Sequence, residues 1–199
     1  MIAGAAADGV PASSPFLKEF PVTDLIAPHG GLAEPMNRTR TEIGSFPKKI
    51  ALSDADLSSL YRIGDGGLSP LTGPMVREEW DRVLDEEVII RGGKKYAWTI
   101  PIAFPVTDAE AAAVAVGETV NLVNSRGEIV GSLDVRDVYA WDKPRYLRSV
   151  YGTDRTDHPG GHMVMKDDRT RLVGGEVWVK PQPKHPEYGE GGLTPRETR

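Results

Sequence analysis

The chain has 199 residues, 39% hydrophobic and 27% charged, which suits one domain with a buried core and is short for two. Its 24 Lys and Arg against 29 Asp and Glu leave a net charge of -5, where a dedicated nucleic-acid binder usually carries a basic footprint. No Cys is present, which excludes disulfides, iron–sulfur clusters, thiolate zinc sites and a cysteine nucleophile, and no apolar run approaches the ~20 residues that span a bilayer.

The 22 Gly and 16 Pro are spread without a period, so the chain reads as many short strands and a few helices joined by turns. Residues 1–20 lack the basic start and long apolar stretch of a secretory signal and read as a flexible tail of a cytoplasmic protein. Pro28-His29-Gly30-Gly31 predicts a tight loop. Ser53 to Leu60 predicts a short helix, with Ser53 as N-cap and acidic residues in the first turn. A Gly/Pro loop spans Gly64 to Gly73. If Gly73 needs a positive φ, its replacement by Val costs on the order of 1–3 kcal/mol. Between Pro74 and Glu87, Val76, Trp80, Val83 and Leu84 share one helical face.

Val88 to Arg91 and Tyr96 to Val106 predict strands around a Gly92-Gly93-Lys94-Lys95 turn; Pro101 and Pro105 imply an edge, a bulge or a break in the second. Thr107 and Glu110 form a capping box before an Ala-rich helix that Gly117 ends. Glu118 to Val123 and Glu128 to Val138 predict a hairpin about a turn at 124–127. Asp142 caps a helix from Pro144 to Gly152, and a polar loop follows to Gly161. Met163 to Met165 and Arg171 to Val179 predict a further hairpin, with a bulge at Gly174-Gly175. Residues 181–192 read as a linker, and Thr194-Pro195 as the start of a helix. The division is a tail at 1–20, an α+β domain at 21–180 and a linker at 181–199. The domain is a small, partly closed barrel of short strands with three or four short helices.

Chemistry-bearing patterns are sparse. There is no GxxxxGK[ST], no GxGxxG after a strand, no GxSxG and no HExxH. His158 and His162 are four apart, a metal spacing on a helix, but Pro159-Gly160-Gly161 between them argues for loop histidines that cap backbone groups. His29 beside two glycines is open to two readings, an anion or partner contact and a loop hydrogen bond. Asp85-Glu86-Glu87 and Asp167-Asp168 read as solvated acids rather than a catalytic carboxylate pair. Trp80 and Trp178 lie on apolar faces and read as core.

Several of these features, in order, resemble one family. Pro28-His29-Gly30-Gly31, Leu52-Ser53 with Asp56-Leu57, and Leu68-Ser69-Pro70-Leu71-Thr72-Gly73-Pro74-Met75 resemble the amino-terminal region of the ATP sulfurylase (sulfate adenylyltransferase) family; Pro74 stands where an aromatic is common. Ile100-Pro101-Ile102, the strands at 117–122 and 135–139, and Tyr151-Gly152-Thr153 with Asp157-His158-Pro159-Gly160 are similar to later motifs. So are Val173-Gly174-Gly175 and Leu193-Thr194-Pro195 with Arg199, the last leading into the family's catalytic domain. The resemblance implies a PUA-like pseudo-barrel ahead of a nucleotide-binding domain. The complete enzyme joins sulfate to the AMP moiety of ATP with ATP and magnesium. The family's Gln-x-Arg-Asn-Pro and His-x-x-His motifs are absent, and the one Gln is Gln182 in the linker. The expectation is therefore no catalytic residue and no cofactor or metal in this chain. The partner is a catalytic domain in cis or trans, with self-association a further possibility and neither membrane nor nucleic acid expected. The candidate inter-domain or interface loops are His29, Gly30 and Gly31; Ser69, Pro70 and Gly73; and His158, Pro159 and Gly160, with glycines that merely shape turns as the alternative. The competing reading is a stand-alone PUA-like module that binds RNA or a sulfur-metabolism protein without catalysis.

Overall fold

A long antiparallel pair forms the spine of the domain. The computed structural model describes residues 36–184, 186–189 and 191–198. The elements in chain order are β1 (Lys49–Ala51), α1 (Asp54–Gly64), α2 (Arg77–Glu86), β2 (Val88–Arg91), β3 (Lys94–Ala97) and β4 (Phe104–Val106). They continue with α3 (Asp108–Ala113), β5 (Thr119–Val123), β6 (Ile129–Ala140), α4 (Lys143–Tyr151), α5 (Pro159–Lys166) and β7 (Arg171–Val179). Five strands make one curled sheet in the order β1-β5-β6-β7-β4, antiparallel except for β1 against β5; β2 and β3 form a separate hairpin.

Local chemistry accounts for most of these elements. Ser53 and Asp56 form a reciprocal capping box, and α1 then buries Leu57, Leu60 and Ile63. Burial of each such side chain stabilises by about 1.5–3 kcal/mol. Thr107 and Glu110 form the same box at α3, which buries no residue and is short for that reason. Asp142 caps α4, accepting from the Arg145 amide. The β2–β3 turn has two residues rather than four: Gly92 and Gly93 have φ of 57° and 74°, the backbone that a tight hairpin needs. The expected long strand from Tyr96 is interrupted. β3 stops at Ala97, Pro101 lies in the gap, and β4 resumes at Phe104 as an edge strand able to tolerate Pro105.

Two expectations are corrected. Met163 to Met165 is not a strand; it lies in α5, which His158 caps and Pro159 opens as first residue. The short Met-Val-Met run has no period of its own, and the cap decides its state. The bulge beside Gly174-Gly175 is real, but the extra residue is Arg136 on β6, between Val135 opposite Gly175 and Asp137 opposite Gly174.

The core gathers Ile50, Leu60, Met75, Phe104, Leu122 and Leu133 between the sheet, α1 and the 68–75 loop. Asn121 is fully buried on β5, accepting from the Phe46 amide (2.7 Å) and donating to the Gly44 carbonyl (2.8 Å). It thereby holds the 44–46 segment, and these bonds offset the desolvation of its amide.

Candidate functional site

The Ser69–Met75 loop completes the open edge of β7. β4 pairs only with Arg171 to Val173. Beyond them the Gly175 amide donates to the Pro74 carbonyl (2.8 Å), the Val177 amide to Thr72 (2.9 Å) and the Val179 amide to Arg38 (2.9 Å). A strand edge that would invite pairing with other chains is thus covered from within. The fit is close: a Cβ on Gly73 would sit 2.0 Å from the Gly175 carbonyl oxygen, and one on Gly174 would sit 2.3 Å from that of Met75. Gly73 does not have a positive φ. Its need for glycine comes from backbone approach, so the premise of the φ argument does not hold. The Ser69 hydroxyl donates to the Gly66 carbonyl and accepts from the Met36 amide; Ser69, Pro70 and Gly73 are all buried.

His158, Pro159 and Gly160 lie elsewhere, at the elbow between α4 and α5. The His158 Nδ1 accepts from the Gly161 amide, the backbone-capping role expected of it, although α5 is helical where a loop was expected. Its ring lies 4.9 Å from Tyr151, and a Cβ on Gly160 would meet the Tyr151 ring at 2.6 Å. An aromatic ladder runs inward from Tyr151 through Tyr146 to Trp80 and Tyr139. Burial pushes the Tyr139 and Tyr146 phenols well above their ordinary value. Met163 (69% exposed) and Met165 (44%) are both exposed on α5. His29, Gly30 and Gly31 lie outside the described residues.

The elbow is tied to the barrel by a charge cluster that the reading of Asp167 as a solvated acid misses. Arg169, 19% exposed at its side chain, binds Asp56 at 2.8 Å and both oxygens of Asp167. Burial raises the Asp167 carboxyl, but hydrogen bonds from the Arg169 side chain and backbone outweigh it and hold the group below the usual range. Trp178 is also placed differently from a core residue: it is half-buried, with the Arg38 and Arg40 guanidinium carbons 4.0 and 3.5 Å from the ring centroid.

A cleft of about 420 Å³ opens at the other end of the β6–β7 pair, where residues 181–184 and 192–196 face the end of the barrel. Tyr61, Arg62 and Asp65 from α1 face Lys180, Gln182, Lys184, Leu193, Thr194 and Arg196 across it. The two stretches are held by Lys184 on Glu197 (2.8 Å) and by a Thr194–Glu197 capping pair. Lys184 and Thr194 hold the Glu197 carboxyl down to about 2. None of these cleft residues is visible as a site in sequence, since they come from three separate stretches. Among the described residues no group of three or more His, Asp or Glu is placed to hold a metal ion, and no helix is long and apolar enough to cross a membrane.

Residues 26–182 match the family model of the PUA-like domain. The chain belongs to the PUA-like domain family. The matched span takes in every strand and helix described above. Among curated relatives, the sulfate adenylyltransferase of Pyropia yezoensis is 48% identical over 156 residues, 76% of this chain and 36% of the relative. That of Nostoc punctiforme is 33% identical over 182 residues, 88% of this chain and 45% of the relative. The chain therefore spans less than half the length of these relatives. Among solved structures, the hexameric APS kinase from Thiobacillus denitrificans shares the PUA-like fold at a TM-score of 0.61 and 23% identity, over 87% of this chain and 30% of that one.

Proposed function

We propose that the chain is the amino-terminal, supporting part of a cytoplasmic sulfate adenylyltransferase of sulfate assimilation. In this reading the reaction joins sulfate to the AMP moiety of ATP and releases pyrophosphate, with ATP and magnesium bound by a catalytic domain in cis or trans. The observation that carries it is 48% identity to a sulfate adenylyltransferase of which this chain covers 36%. The absence of the family's Gln-x-Arg-Asn-Pro and His-x-x-His motifs from the sequence agrees with it. No covalent intermediate is involved; the rate comes from positioning the reactants and neutralising phosphate charge, which needs a rigid support for the catalytic groups.

Of the candidate loops, the His158–Gly160 elbow suits the docking face, because it is exposed and flanked by Tyr151, Met163 and Met165. The Ser69–Gly73 loop acts from inside, by holding β7 rigid. Self-association of the complete enzyme is in keeping with the hexameric APS kinase that shares the fold. The test is sulfate-dependent pyrophosphate release from ATP. Residues 1–199 alone should show none, and joining them to the remaining length of the Pyropia yezoensis relative should restore it. Release by residues 1–199 alone would refute the division of labour.

A further inference from the structure

The cleft over the barrel end differs in sign from the protein around it. The chain carries a net charge of -5, yet the cleft is lined by Arg62, Lys180, Lys184 and Arg196 against the single carboxylate of Asp65. Asp65 is taken up by Arg62 at 2.5 Å, and Lys184 by Glu197 from outside the lining. The Lys180 backbone amide is bonded to the Val130 carbonyl, but its side chain makes no hydrogen bond or salt bridge among the described residues and is only half-exposed; Glu128 feels its charge without bonding it, so the ammonium keeps its donors for a ligand. Field lines from such a group converge within a concave wall, which draws in anions against the charge of the whole molecule.

The floor is of a different chemistry. Val179, Pro181, Pro183 and Leu193 present apolar surface beside the ring of Tyr61, whose hydroxyl is engaged by Gln182. A volume of about 420 Å³ lies within the range of small-molecule sites, which combine an apolar lining with a few convergent polar groups. A bare inorganic anion would leave that floor unused.

We propose that this cleft binds a small phosphomonoester with an apolar ring body, the nucleoside monophosphate class. The phosphate sits by Lys180 and the ring lies on the floor of Tyr61, Pro181 and Leu193. The ligand would bridge α1 and residues 181–184 and 192–196 and so brace them on the barrel. The site lies wholly within this chain and stands independently of the sulfate adenylyltransferase reading.

The test is calorimetric titration of residues 1–199 with AMP, adenosine and pyrophosphate in separate arms. AMP should bind with a Kd at or below about 1 mM, and more tightly than either part alone. Lys180→Glu should weaken it at least about tenfold. Lys94→Glu, the same charge change on the exposed β2–β3 hairpin, should leave it unchanged. Amide shifts on AMP addition to the wild-type chain should centre on Gln182 and Leu193, a readout that needs no variant to fold. The proposal is overturned by no AMP binding at millimolar concentration, by pyrophosphate binding as tightly as AMP, by equal losses in the two variants, or by shifts centred elsewhere.

Discussion

Replacing Gly73 with Ala tests the closest contact in the fold. The new Cβ would lie 2.0 Å from the Gly175 carbonyl oxygen and 2.9 Å from the Glu176 Cα, both backbone atoms. β7 cannot yield, since its other edge is paired with β6 from Gly131 to Ala140. The loop must withdraw instead, stretching the bonds from the Val177 amide to Thr72 and from the Gly175 amide to Pro74. Each contributes about 0.5–1.5 kcal/mol, and the overpacking costs about 1–3 kcal/mol. The total is about 4 kcal/mol, or a fall of roughly 10 °C in Tm for a domain of this size. The control is Gly127→Ala, where φ is 76° and nothing lies within 4 Å. Backbone strain alone should cost it about 1–2 kcal/mol. Thermal unfolding followed by circular dichroism separates the two cases. A loss in Gly73→Ala no larger than that in Gly127→Ala would refute the contact argument.

Arg169→Met should destabilise by about 2–4 kcal/mol, because Asp56 and Asp167 lose their shared cation in a largely covered site. The Asp167 carboxyl is held below its ordinary value in the fold, so it contributes stability above that value and loses it as pH falls through the folded one. Urea midpoints between about pH 5 and 2 should therefore fall more steeply in wild type than in Arg169→Met; parallel slopes would count against this cluster. Tyr139→Phe removes the 2.8 Å bond to the buried Met75 carbonyl and should cost about 1–2 kcal/mol. The Tyr139 phenol is raised by burial, so its contribution is complete below the ordinary value near 10 and is lost as pH rises beyond it. Alkaline unfolding should thus begin later in Tyr139→Phe relative to its own neutral-pH stability, and an unshifted alkaline transition would argue against the buried phenol.

Helix starts were legible because a cap is a local device: Ser53, Thr107 and Asp142 each sit within three residues of the amide they satisfy. The 119–140 hairpin was legible for a similar reason, two β-rich runs around one turn. The ordered motifs were enough to reach the PUA-like family. α5 was not legible, since its three apolar residues fit strand and helix alike and His158 as a cap is chemically unusual. What demands glycine at 73 was not legible either, because the atom it avoids belongs to residue 175. The Asp56–Arg169–Asp167 cluster joins residues 113 apart, and the cationic cleft draws on residues between 37 and 196. Short-range chemistry could be read along the chain because both partners are written side by side. Contacts made across the barrel had to wait for the β6–β7 spine, which alone brings the distant segments within reach.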